Sequence, residues 1–194
     1  MRSIAERRWG RWSGYAARRE LAYNRVIMRP TITESVAGPK HQLLRHTLAT
    51  LAYRGGKTLR GAPPGFAEFR VGERTRTPGQ ILAHLGDLLH WALTQAKGKP
   101  AWHNSPVVGW EEGSKRFFAA LQELDDYLAS NETIGCTPEK MFQGAIADAL
   151  THVGQLGLLR GMAGASVRGE NYAQADIEVG RVGEEQSAPR REFD

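Results

Sequence analysis

Asp148 and His152 stand four residues apart in a segment of helical periodicity, so their side chains leave one helix face about 6 Å apart along the axis. A carboxylate and an imidazole at that spacing can grip one ion, and a third ligand then has to come from another helix. His84, in the second turn of an earlier amphipathic segment, is the candidate. Two imidazoles and one carboxylate fill only part of a tetrahedral or octahedral shell. Positions remain for water, thiol or substrate, which is what a catalytic rather than a structural site needs. Such an ion acts as a Lewis acid and brings the pKa of bound water or thiol toward neutrality. Asp87, one turn after His84, could orient a ligand or simply face water, and Gln155, one turn after His152, could hydrogen-bond a ligand or bound solvent. On spacing alone, an Asp-x-x-x-His pair is more often a solvated face or a helix ion pair.

The other reactive residue types carry weaker signals. His90 follows His84 by six residues and therefore points to a different face, and His41 and His46 belong to the first amphipathic segment, where a surface or packed role is expected. His103 lies in a Trp-rich loop and could reach a pocket. Cys136 is the sole cysteine, which rules out an internal disulfide, a zinc ribbon and a CxxC pair, and no charged neighbour activates it. Asn131-Glu132-Thr133 reads as a chance glycosylation sequon.

Four amphipathic segments must position these residues. Leu43, Leu44, Leu48, Leu51 and Ala52 predict a helix over 40–54, with Gly55-Gly56 as its stop. Residues 55–76, with Pro63, Pro64, Phe66, Phe69 and Val71, then read as a long loop partly packed by its aromatics. Thr77-Pro78-Gly79-Gln80 is a helix start with a capping box, opening a helix over 77–97 that Gly98 and Pro100 end. Trp102-His103-Asn104-Ser105-Pro106 reads as a turn. Phe117, Phe118, Leu121, Leu124 and Leu128 define a third helix over 108–130, and Thr137-Pro138-Glu139 opens a fourth over 138–164. Four such helices without an alternating strand pattern predict an all-α, antiparallel four-helix bundle. Gly157 and Gly161 weaken the fourth helix, so their small size should serve a close helix approach or a homodimer contact. Residues 165–183, with Val167, Tyr172, Ile177 and Val179, are expected to pack back on the bundle, and residues 184–194 to form a polar, frayed tail.

Of the chain's 194 residues 41% are hydrophobic and 24% charged, which excludes a wholly disordered chain and a disulfide scaffold. The net charge of +5 is unevenly placed. Residues 1–29 hold eight arginines against Glu6 and Glu20, net +6, whereas the remaining 165 residues hold 18 basic and 19 acidic groups, net −1. This basic extension, with Trp9, Trp12, Tyr15 and Tyr23 among its arginines, could contact nucleic acid. A disordered extension or an over-extended start ahead of Met28 is the preferred expectation. The domain reading is thus a 1–29 extension, a 30–183 bundle and the 184–194 tail. Without an apolar membrane span or the apolar core of a secretion signal, and with one cysteine, a cytoplasmic location is expected.

Two of these segments resemble a known family. Thr77-Pro78-Gly79-Gln80-Ile81-Leu82-Ala83-His84-Leu85-Gly86-Asp87 is similar to the second helix of the DinB/YfiT-like superfamily of metal-binding four-helix bundles. Asp148-Ala149-Leu150-Thr151-His152-Val153-Gly154-Gln155-Leu156 resembles that family's fourth-helix motif, usually His-x-x-x-His-Arg-x-Gln. The resemblance covers roughly residues 40–183, including Ala163-Gly164, Asn171-Tyr172 and Ala175-Asp176. It implies that His84 and His152 match the first and last family ligands, with Asp148 where histidine is commonest. The related mycothiol-dependent maleylpyruvate isomerases carry a carboxylate there, so the resemblance implies one divalent ion, zinc, nickel or iron, on His84, Asp148 and His152. It further implies a low-molecular-weight thiol as cosubstrate and a thiol transferase, isomerase or hydrolase acting on a small electrophile. The alternative is a non-catalytic ligand- or partner-binding stress-response module that has lost the metal.

Overall fold

The computed structural model describes residues 38–130 and 132–193, so the expectations for residues 1–29 lie outside the described residues. The described chain is mostly helical. Helix α1 spans Pro39–Leu59, α2 Pro78–Ala96 and α3 Trp110–Ala129. Helix α4 starts as Pro138–Met141, passes through a π-helical segment at Phe142–Ile146 and continues as Ala147–Met162. None of these helices is long and apolar enough to cross a membrane.

Both proline-marked starts form as their residues dictate. Thr77 Oγ1 accepts from the Gln80 amide at 3.2 Å, and Gln80 Oε1 accepts from the Thr77 amide at 2.9 Å, closing the capping box. Thr137 caps α4 through the Lys140 amide. Helix α1, in contrast, does not stop at Gly55-Gly56. It runs on to Leu59 because those glycines are a packing device: a Cβ on Gly55 would lie 2.8 Å from the Phe117 ring. The stop comes from elsewhere. Arg160 donates to the carbonyls of Thr58, Arg60 and Gly61 at 2.8, 2.8 and 3.0 Å, taking up acceptors that the end of α1 leaves open. Beyond it Phe66 is buried against Trp110, ring centroids 5.0 Å apart, so the 60–77 connection is packed by an aromatic as its composition suggested.

The bundle is not uniformly antiparallel. Arg45 pairs with Asp125 while Gly55 meets Phe117, so α1 and α3 run in opposite directions. Lys40 pairs with Glu139 and Arg160 caps α1, so α1 and α4 run together. Leu82 meets Gly113 and Arg116 reaches Ala83, so α2 and α3 also run together, and α2 opposes α4. Helices α1 and α2 each pack on α3 and α4. Two parallel neighbours joined in sequence need a crossover, and residues 97–109 supply it by returning along α2. Ala101 donates to Thr94 Oγ1 at 3.1 Å, His103 lies against His90, and Ser105 donates to Asp87 Oδ2 at 3.0 Å. The stretch expected to be a turn is therefore a strap.

The core is filled by Leu48, Leu51, Leu85, Leu88, Leu89, Phe117, Leu121, Leu124, Met141 and Ile146. The tail does not fray. Gly169–Glu170 (β1) pairs antiparallel with Glu192–Phe193 (β2), in the register Gly169 to Phe193 and Glu170 to Glu192. Lys57 of α1 bonds Glu170 and Glu192, both at 2.7 Å, and Tyr53 donates to Glu170 at 2.7 Å. Among the described residues Gly157 and Gly161 meet Thr58 and Ser166 at ordinary contact distance, so no close approach among them requires either glycine.

Candidate metal centre

His84 projects from α2, and Asp148 and His152 project from the opposed α4, one helical turn apart on one face. The π segment lies immediately before Asp148. It widens the helix where Gly144 faces the Trp91 ring, 3.6 Å from where its Cβ would be, and such segments are common beside functional sites. One ligand atom from each of the three residues lies within 4.8 Å of the others. The imidazole rings of His84 and His152 stand 4.8 Å apart, centroid to centroid, and nearly perpendicular.

The spacing discriminates between two uses of such a group. Asp148 Oδ2 lies 3.7 Å from His84 Nε2, and Oδ1 lies 3.5 Å from His152 Nε2. Both are too long for a good hydrogen bond, which needs about 2.7–3.2 Å. Ligand atoms about 2.1 Å from a common tetrahedral centre are about 3.4 Å from one another. The two Asp–His separations are therefore too long for mutual hydrogen bonds and close to those of atoms that could share an ion.

Protonation agrees with ligation. Gln155 Oε1 lies 2.6 Å from His152 Nδ1, and an amide oxygen only accepts, so Nδ1 donates in this contact and Nε2 is the nitrogen turned toward Asp148. Burial lowers the pKa of His84 to about 4; Arg76 and His152 add to the shift, and Asp148 and Asp87 oppose it. His84 is thus neutral at pH 7. Asp148 is the exposed member, its side chain 41% accessible, and opens the centre to solvent.

Asp87 is engaged away from the ligands. Its buried carboxylate pairs with Arg116, accepts from the Ser105 amide at 3.0 Å and lies 3.4 Å from His103 Nε2. Its charge still reaches His84 through space, but its hydrogen bonds hold the strap. His41 is packed with both ring nitrogens buried and without a hydrogen-bond partner among the described residues, His46 is exposed, and His90 stacks edge-on with His103 at 4.4 Å. Burial pushes the Cys136 thiol up to about 11, which keeps it protonated at neutral pH.

Three contributors escaped the reading of motifs. Trp102 of the strap packs edge-to-face on His84 at 5.5 Å, Trp91 packs on Trp102 at 6.0 Å, and Arg76 adds positive charge near His84. The signal for the first was the connection itself, too long and too aromatic for a simple turn. Comparison with known proteins found no family model, no curated protein and no solved structure that matches this chain.

Proposed function

We propose that the chain is a DinB-like protein in which His84, Asp148 and His152 hold one divalent metal ion. On this reading it is a metal-dependent enzyme acting on a small electrophile, as a thiol transferase or isomerase or as a hydrolase. The observation that carries the metal reading is the convergence of two imidazole nitrogens and a carboxylate oxygen within 4.8 Å, from helices far apart in sequence. The resemblance of the 77–87 and 148–156 segments supports the family and the reaction class.

Two imidazoles and a carboxylate suit zinc, nickel or iron, and an ion so held lowers the pKa of a bound water or thiol. The chain's own residues do the rest. His84 presents a neutral imidazole, Gln155 takes the His152 Nδ1 proton and leaves Nε2 toward the centre, and the Asp148 carboxylate would offset part of an ion's charge. Elemental analysis of protein purified without a histidine tag tests the reading, with about one equivalent of metal expected. Protein that takes up no added zinc, nickel or iron would leave the non-catalytic ligand-binding module in its place.

A further inference from the structure

A carboxylate that oriented His84 directly would bond its ring, yet Asp87, one turn further along α2, bonds Arg116 and the Ser105 amide instead. The route by which Arg116 arrives is specific. It comes from α3, donates to the Ala83 carbonyl at 3.2 Å and crosses α2 over Gly86, where a Cβ would lie 2.9 Å from the guanidinium carbon. Any larger residue at position 86 would displace it. The result is a chain of contacts from α3, across the helix that carries His84, to the crossover strap.

The strap in turn reaches the centre. Thr94 receives the Ala101 amide at one end of the contact, Ser105 is tied to Asp87 at the other, and Trp102 between them stands against His84 and Trp91. Trp91 is backed by Gly144 in the π segment, so the wall has support from α4 as well.

We propose that residues 101–107 form a strap whose Trp102 walls the metal centre, and that Asp87 is the positioning residue that holds it there through Ser105 and Arg116. The proposal rests on the metal reading above for the word centre, while the tether stands on the strap geometry alone. Asp87 then acts on the site through Trp102 and not through the His84 ring. Removing it should loosen the wall and leave the ligand set in place.

The test uses the full chain, cobalt(II) as the probe and indole fluorescence as the readout, with Trp102→Phe subtracted to isolate Trp102 from the other four tryptophans. Cobalt should quench wild-type emission, and Trp102→Phe should lose the greater part of that quench while keeping cobalt affinity close to wild type. Asp87→Asn should likewise keep cobalt affinity, lose much of the Trp102 quench and raise the acrylamide accessibility of Trp102 by about twofold or more, as a locally opened segment does. Ser105→Pro removes the amide donor without altering Asp87 or Arg116 and should act in the same direction if Asp87→Asn fails to fold. Asp87→Asn binding cobalt as poorly as His152→Ala would overturn the proposal, because Asp87 would then serve a ligand directly. Unchanged Trp102 accessibility in both variants would overturn the tether. Wild-type protein that binds no cobalt would overturn the metal reading and with it the wall, and the acrylamide comparison in metal-free protein would still decide the tether.

Discussion

Two clusters of ionisable groups are built between α1 or α2 and a distant part of the chain, and they differ in how their atoms meet. At the α1 end, Lys57, Tyr53, Glu170 and Glu192 are joined by bonds of 2.7 Å. Burial alone would lower the Lys57 pKa, and the two glutamates more than reverse this. Burial and the Glu170 bond together push Tyr53 up. At the α2–α4 face, Asp148 stands 3.7 Å from His84 and 3.5 Å from His152, beyond good hydrogen-bond reach of either. A network whose members satisfy one another holds a structure together; one whose members stop just short of contact holds space for something else.

The largest effect separates the two clusters by what they bind. If the proposed metal reading holds, His152→Ala removes one of three ligands and should abolish stoichiometric metal uptake, with Asp148→Ala weakening it comparably. Asp148→His should retain or tighten a zinc- or nickel-type ion, because imidazole suits both. Calorimetric titration of metal-free protein checks all three. A wild-type chain that binds nothing beside an Asp148→His variant that binds would mean the aspartate marks a lost site.

The same comparison predicts the converse at the other end. Glu170→Ala leaves Lys57, whose side chain is 8% exposed, with Glu192 as its remaining acidic partner, and leaves the Tyr53 hydroxyl buried. The cost should be on the order of 2–3 kcal/mol, below the full cost of stranding a buried charge because Glu192 persists. Urea unfolding should register that loss while metal uptake stays at the wild-type level. A loss of metal in this variant would mean that the two clusters are coupled through the bundle.

Acid should reach the clusters in sequence. The folded pKa of His84, about 4, lies below its unfolded value of about 6.5. The unfolded chain therefore binds more protons between those values, so this contribution to stability is whole above about pH 6.5 and declines as pH falls toward about 4. Glu192 runs the same way in a lower window: its bond to Lys57 lowers its pKa, so its contribution persists until acid passes below the ordinary glutamate value. Urea midpoints of metal-free protein should fall first through the His84 window, and His84→Gln should flatten that slope. Bound metal should shift the loss to lower pH, since protons then compete with the ion for the ligands.

What the residues made legible divides along similar lines. The two threonine-proline starts specify their caps locally, and the i, i+4 spacing of Asp148 and His152 puts them on one face whatever the rest does. Gly55-Gly56 misled because a glycine pair in sequence carries no sign of the Phe117 ring that requires it. The parallel course of α2 and α3 depends on pairings such as Leu82 with Gly113, between residues whose separation periodicity cannot report. The π segment changes register by a residue without altering the apolar pattern. Residues 184–194 looked frayed because their attachment is electrostatic, through Glu192 and Lys57, and a polar run shows no hydrophobic face. Asp87 had the right spacing to serve His84, and only its actual partners, Arg116 and Ser105, show otherwise.

The smallest expected effect tests whether the clusters are independent of the helix that joins them. Gly157 lies on α4 between His152 and Arg160, which caps α1, and its nearest non-local neighbour among the described residues is Thr58 Oγ1, 4.0 Å from where a Cβ would stand. Alanine fits there without displacing anything, and a helix-interior glycine costs up to about 1 kcal/mol relative to alanine. Gly157→Ala should therefore raise stability by about 0.5–1 kcal/mol in urea unfolding and leave metal affinity unchanged. A destabilised variant would point to a contact beyond the described residues, such as a second copy against this face of α4. A stabilised variant with altered metal affinity would mean that the fraying of α4 sets the position of His152, and the separation between the two clusters would no longer hold.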